Sequence, residues 1–403
     1  MKVKISALFG ALAITILDAA IASAQLPQFG HVIFVNLEDH SYSEAVATSD
    51  GIHPVCPPPA NAPMPYLQSL ICSNGLATDS YADQHNTGHF IWVTGQFVTT
   101  NSTYVPGQPM SCSNSSAAAC ANGGLGYQTM DNIALEAQNV GKTWKSYGEC
   151  MPYVGYTGGS TTCPNNGPRY IDYHVPLSYF TNINTAQDLV PFEDPNVGFA
   201  HDLTSGTLPN FSYVTPNGCH TGRDATYNSG NSSCFTDHRC SAMTTIAAEL
   251  CTADNWVSAN IKPLVQSSYL QAGGDGLLII SFDEDDGIDL NHNCEANYTG
   301  LQCGGHLATV LVSSKLRSAG VESSRLYQNE NVLRAMAEGL GLRTTGLGAA
   351  AWANNMADFF SAPAPITLTD QNWGACKSNC SSSPSAIASG KFAVSQGQLI
   401  VAF

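Results

Sequence analysis

The chain has 403 residues, 43% of them hydrophobic and only 11% charged, with 31 acidic against 15 basic side chains and a formal net charge of −16. Such a length buries a sizeable core as one large α/β domain or two smaller ones, and the acidic balance excludes a protein that grips a nucleic-acid backbone, which needs a basic surface. The composition suits a secreted protein with long polar loops that works in acid, where carboxylate repulsion is partly titrated away.

Met1 to Ala24 reads as an export signal. Lys2 and Lys4 precede a mainly apolar stretch from Ile5 to Ile21, and Ala22-Ser23-Ala24 forms a small-residue cleavage site. No other run approaches the ~20 apolar residues that span a bilayer, so no transmembrane segment is expected. The 14 cysteines follow this signal, an even number that implies disulfides in an oxidising compartment. Cys56 with Cys72, Cys112 with Cys120, Cys150 with Cys163, Cys294 with Cys303, and Cys376 with Cys380 are near neighbours. Cys219, Cys234, Cys240 and Cys251 are left to pair among themselves. No Cys-x2-Cys pair is present, which argues against a thiolate zinc site.

His31 to Leu37 reads as a first core strand ending on Glu38-Asp39-His40-Ser41-Tyr42. A Pro-rich loop from Pro54 to Pro65 and a short helix around Tyr66 to Cys72 follow. Asp83 to Phe90 then leads into apolar Ile91-Trp92-Val93. Residues 98 to 126 lack periodicity and read as a disulfide-pinned loop insertion. A helix from Asp131 to Gly141, a strand from Thr143 to Glu149 and a strand over Leu208 to Asn217 come next. Ser241 to Cys251 and Asn255 to Ser267 read as two helices. Leu277-Leu278-Ile279-Ile280 is a strand buried on both faces that stops on four consecutive acids, Asp283 to Asp286. Leu307 to Val312 is a further strand, and Asn331 to Gly341 has helical spacing. Strands alternating with helices indicate an α/β sandwich with a mainly parallel sheet. Residues 361 to 403 read as a linker and a small β appendage, with 25 to 360 as the catalytic domain.

Two buried strands that both end on acids are a reason to look for a metal. In a parallel sheet their carboxyl ends share one edge, where ligands bind. Adjacent carboxylates repel unless something positive offsets them, and a hard divalent cation does so. The hydroxyl of Thr87, on a turn before an apolar segment, is the candidate nucleophile that such a cation would activate. Asp285 and Asp286 read as loop residues, and His306 as a loop histidine or a site residue.

The motifs Glu38 to Tyr42, His85 to Thr87, Trp144 to Glu149, Tyr173 to Pro176, Leu208 to Asn217, Asp254 to Trp256 and Asp283-Glu284 stand in one order along the chain. That series resembles the phosphoesterase family of secreted acid phosphatases and bacterial phospholipases C, over about residues 30 to 345. The resemblance implies an alkaline-phosphatase-like three-layer α/β/α sandwich. It further implies Glu38, Asp39, Asp283 and Glu284 as metal ligands, Thr87 as nucleophile through a phospho-threonine, and His174 and His220 at the phosphoryl oxygens or leaving group. His85, Asn217 and Arg223 would bind substrate. Carboxylate and hydroxyl ligands suit Ca²⁺, Mg²⁺ or Mn²⁺.

The chain departs from the family pattern at four places. Glu38-Asp39 stands where Glu-Asn is usual, and His89-Phe90 stands where Pro-Asn follows the nucleophile. His220 comes about one turn early, with Arg223 near the usual histidine place, and Asn329 stands where members often have His. The expected activity is hydrolysis of phosphate monoesters. Phospholipase C-type action on a phospholipid and an inactive secreted binding protein are the alternatives.

Overall fold

The structure is a computed structural model that describes residues 26–83, 88–96, 130–163, 169–223, 234, 237–285, 305–361, 392–395 and 398–401. Its strands in chain order are β1 His31–Leu37, β2 Gly75–Tyr81, β3 Trp144–Gly148, β4 Thr161–Thr162, β5 Arg169–Tyr170, β6 Leu189–Pro191, β7 Phe211–Thr215, β8 Gly276–Phe282, β9 His306–Val312 and β10 Val321–Ser323. Among the described residues eight of them form one sheet in the order β10-β2-β9-β8-β1-β7-β3-β6. β1 pairs parallel with β8 and β7, and β3 pairs parallel with β7 and β6. β9 alone runs the other way, antiparallel to both β8 and β2. The sheet is therefore mainly parallel, as expected.

Period-two alternation divides each central strand between two cores. Val32 and Phe34 of β1, with Leu277 and Ile279 of β8, face a layer holding the helices Gly88–Thr94, Ile133–Asn139 and Asn329–Gly339. Ile33, Val35 and Leu37, with Leu278, Ile280 and Phe282, face the helices Pro65–Ser73 and Thr245–Asn260. The arrangement is an α/β/α sandwich. All seven residues of β8 are buried, and each large aliphatic side chain among them contributes about 1.5–3 kcal/mol. That burial lets the strand end on acids without losing its place.

The helices start and stop for local reasons. Asn132 caps Ile133–Asn139 by accepting the Leu135 N–H at 2.9 Å, and Gly141 beyond it takes φ +72. Pro65–Ser73 has no capping side chain of its own, because Met64 precedes it. Asp254, from a distant helix, accepts the Tyr66 and Leu67 N–H groups at 2.9 and 2.8 Å instead. This explains a difference from the sequence expectation: Thr245–Asn260 is one continuous helix rather than two. The polar residues that suggest a break serve elsewhere, Asp254 as that remote cap and Thr252 in a bond to the Ala248 carbonyl at 2.8 Å.

Disulfides join Cys56 to Cys72, Cys150 to Cys163, Cys219 to Cys234 and Cys240 to Cys251. The expected pairs at Cys112, Cys294 and Cys376 lie outside the described residues, as do the export signal and the 98–126 insertion. Among the described residues no helix is long and apolar enough to cross a membrane. Pro363–Phe403 forms a second compact unit, in which Phe392–Ser395 and Gln398–Val401 pair as an antiparallel ribbon.

Candidate active site

Leu37 of β1 stands directly beside Phe282 of β8. The next residues of each strand, Glu38-Asp39 and Asp283-Glu284, therefore leave the sheet together at its carboxyl edge. The two acidic pairs meet: the Asp39 backbone N–H donates to Asp283 Oδ1 at 3.2 Å. Asp39 takes φ +53, a left-handed conformation uncommon for a non-glycine residue. The same edge holds Glu38 by its N–H, which donates to the Thr221 carbonyl at 2.8 Å.

Alternation along β1 turns Asn36 and Glu38 toward the layer that contains the helix Gly88–Thr94. Two histidines come over them there. His89, on the first turn of that helix, brings Nε2 to 2.5 Å from Glu38 Oε1 and 3.4 Å from Asp283 Oδ2. His174, in the short 3-10 turn Asp172–His174, brings Nε2 to 3.1 Å from the same Glu38 oxygen. Glu38, His89 and His174 offer three ligand atoms within 4.8 Å of one another, and all three residues are buried. The Asn36 amide touches the other His89 nitrogen, Nδ1, at 3.3 Å. His89 has no assigned role in the sequence reading and enters it only as a departure from the family pattern. The available signal is its place two residues after Thr87, at the head of the apolar Phe90-Ile91-Trp92-Val93.

The electrostatics are those of a crowded, dry acid cluster. Glu38, Asp39, Asp283, Glu284 and Asp285 are all buried. Burial and then the Glu38 charge push the Asp283 carboxyl well above the ordinary carboxylate range, against the opposing pull of His89 and Arg223. Burial, followed by the neighbouring His89, holds His174 well below the ordinary imidazole range, so it sits there neutral. The Tyr213 hydroxyl is pushed well up by burial, Asp283 and Glu38. A neutral imidazole and a cluster of carboxylates form the donor set that a divalent cation requires. Asp39 Oδ1, buried and without a hydrogen-bond partner among the described residues, adds to that fit.

The other expected site residues are arranged differently. Arg223 ion-pairs with Asp39 Oδ2, so the carboxylate that replaces the usual asparagine carries its own counter-charge. Asn217 is buried and its side chain serves a turn, its Oδ1 accepting the Cys219 N–H at 2.9 Å. His220 lies toward the opposite layer, with Nδ1 2.9 Å from Glu149 Oε1 and its ring stacked 6.4 Å from Trp256. Asn329 donates to the Asp283 carbonyl at 3.3 Å, beside the cluster. Asp285, expected as a loop residue, is fully buried, and a Cβ on Gly305 would overlap its carboxylate. His306 opens β9 and lies stacked between Tyr42 and Tyr81, at 4.3 and 4.8 Å. Thr87, His85 and Asp286 lie outside the described residues.

A sequence model of the Phosphoesterase family matches residues 72–343. The chain belongs to that family. Similar proteins include a phosphate-repressible acid phosphatase of Penicillium chrysogenum, 29% identical over 146 residues, or 36% of this chain and 29% of that one. A phosphatidylinositol-3-phosphatase of Mycobacterium tuberculosis is 23% identical over 276 residues, 68% of this chain and 70% of that one. The chain thus spans less than a third of the length of the fungal relative and most of the bacterial one. Among solved structures, a protein of the alkaline phosphatase superfamily from Vibrio parahaemolyticus superposes with a TM-score of 0.47 at 13% identity, covering 83% of this chain and 71% of that one.

Proposed function

We propose that this chain is an exported phosphoric ester hydrolase that acts on phosphate monoesters through a phospho-threonine at Thr87. Two acidic strand ends meeting beneath two buried histidines, in a chain of the phosphoesterase family, carry the reading. Glu38, His89, His174 and Asp283 would hold a divalent cation, which supplies Lewis-acid stabilisation of phosphoryl oxygens and eases ionisation of a nearby hydroxyl. Thr87 immediately precedes the helix that carries His89, which favours it as the attacking group. Its oxygen forms the new bond to phosphorus while the bond to the leaving alcohol breaks. Water then releases phosphate from the threonine. Arg223, about one-third exposed beside Asp39, is placed to attract the dianionic substrate. His220, part-exposed and with Nδ1 on Glu149, is the histidine we assign to protonating the departing alcohol. Disulfides support an oxidising compartment and hence export.

A phosphorylated lipid headgroup is the second reading. The match covering about two-thirds of both this chain and a phosphatidylinositol-3-phosphatase favours it. Purified protein assayed on p-nitrophenyl phosphate, phosphatidylinositol 3-phosphate and phosphatidylcholine, each with and without chelator, tests both. The first reading expects chelator-sensitive phosphate release from the small monoester, abolished in Thr87→Ala. Phosphate release confined to the phosphoinositide supports the second. Release of phosphocholine would move the protein to the phospholipase C side of the family, and activity surviving Thr87→Ala would remove the nucleophile.

A further inference from the structure

We infer that the metal site selects a nitrogen-preferring transition ion of the zinc class rather than the calcium or magnesium that its carboxylates alone suggest. The inference rests on the reading of Glu38, His89 and His174 as ligands. It begins from the donor set, since two of the three converging groups are imidazoles. Ca²⁺ and Mg²⁺ take oxygen ligands almost exclusively, whereas imidazole with carboxylate suits Zn²⁺ and its neighbours.

The separations agree. Ligands on a tetrahedral ion with bonds of ~2.0–2.1 Å lie roughly 3.3 Å apart. Glu38 Oε1 to His174 Nε2 is 3.1 Å and His89 Nε2 to Asp283 Oδ2 is 3.4 Å. Only Glu38 Oε1 to His89 Nε2, at 2.5 Å, must open, by less than an ångström. Among the described residues the converging set is one carboxylate and two imidazoles rather than the six to eight oxygens that Ca²⁺ takes. One of the remaining carboxylates, Asp39, already has an oxygen on Arg223.

Asn36 completes the argument. Metal-bound histidines hold their second ring nitrogen on a fixed partner, which sets the tautomer. The Asn36 side chain, fully buried on β1, stands 3.3 Å from His89 Nδ1. As placed, the amide nitrogen Nδ2 faces His89 Nδ1; turning the amide over brings the buried, unpartnered Oδ1 onto that nitrogen, which keeps the proton on Nδ1 and frees the Nε2 lone pair for a cation beside Glu38 and Asp283. Asn36 is thus a positioning residue, and the sequence departure at His89 is a change of donor chemistry.

The test strips the full-length protein with chelator, then titrates it with Zn²⁺, Co²⁺, Ca²⁺ and Mg²⁺ by calorimetry and thermal shift. Expected is one Zn²⁺ or Co²⁺ per chain, at least ~100-fold tighter than Ca²⁺ or Mg²⁺, with visible d–d absorption for Co²⁺. Nitrogen coupling from imidazole should appear in the pulsed-EPR spectrum of a Cu²⁺-loaded sample. Asn36→Ala should weaken Co²⁺ binding by about 10–100-fold, and His89→Ala by more. Should either variant fail to fold, the wild-type spectra still decide the matter. Calcium binding as tightly as zinc, or spectra without imidazole, would overturn the inference. Chelator-sensitive hydrolysis restored by Ca²⁺ alone would sink the donor-set inference and leave the proposed function standing. Tight Zn²⁺ binding by imidazole without any phosphate release would do the reverse.

Discussion

Asp202 and Asp283 are both buried carboxylates near the sheet of one domain, yet they behave oppositely. Burial alone would raise Asp202, but hydrogen bonds from Lys145 and Tyr147, the Lys145 charge and a bond from Thr207 outweigh it and hold the carboxyl below its ordinary range. Tyr147 reaches it at 2.6 Å and Thr207 at 3.0 Å, so the acid is surrounded by donors. At Asp283 burial and then the Glu38 charge win instead, over His89, Arg223 and the Glu284 N–H, and its carboxyl is pushed well up. The difference separates a carboxylate that holds the fold from one that, on the proposed function, a cation would offset. Satisfied buried acids are structural; crowded ones store a cost that a bound cation relieves.

The contrast can be broken by exchanging which property each acid supports. The largest effect is expected from Glu38→Gln, which should lower phosphate release at least ~1000-fold by removing the negative charge that both histidines face. Its melting temperature in chelator should stay at or above wild type, and a steep drop there would make Glu38 a structural acid. Asp202→Asn should do the opposite, costing about 3 kcal/mol in urea unfolding by weakening a charged network, with activity per folded molecule retained.

Asp254 sharpens the middle ground. Burial pushes this remote helix cap up to about 6 against two backbone N–H bonds. Because its folded value is raised, the stability it contributes is complete below about 3.8 and is lost as pH rises through about 6, a change of the order of 3 kcal/mol. Thermal unfolding followed between pH 3 and 7 should show that decline in wild type and a flatter curve in Asp254→Asn. The smallest effect is expected from Asp283→Asn, which removes one of the repelling charges. It should raise the stability of the metal-stripped protein by about 1 kcal/mol while weakening metal binding, and loss of stability in chelator would contradict the crowding picture.

What the sequence disclosed follows from burial. β1 and β8 announce themselves as unbroken apolar runs, because both of their faces lie against helices. Their acidic ends follow from the parallel pairing that sets Leu37 beside Phe282. β2, one strand in from the edge, is almost as buried yet reads Gly-Leu-Ala-Thr-Asp-Ser-Tyr. Its hydroxyls are absorbed by partners distant in sequence, Thr78 onto the Ser323 carbonyl and Ser80 onto Thr309. β6 and β10 have three residues each, too few to show alternation. The same limit applies at the site. Glu38 and Asp283 could be paired from strand patterns alone. His89 required knowing that its helix crosses above β1, and Asn217 required seeing its oxygen closed on a neighbouring N–H.

The reversed direction of β9 has a consequence for how this protein can diversify. An antiparallel strand next to β8 makes the connection between them begin at Asp285 and return at Gly305, both on the edge where the acids meet. Gly305 tolerates no side chain against the Asp285 carboxylate, so that point acts as a fixed seam. That seam constrains diversification at this edge, since Gly305 and the buried Asp285 must be kept together for β9 to return beside β8.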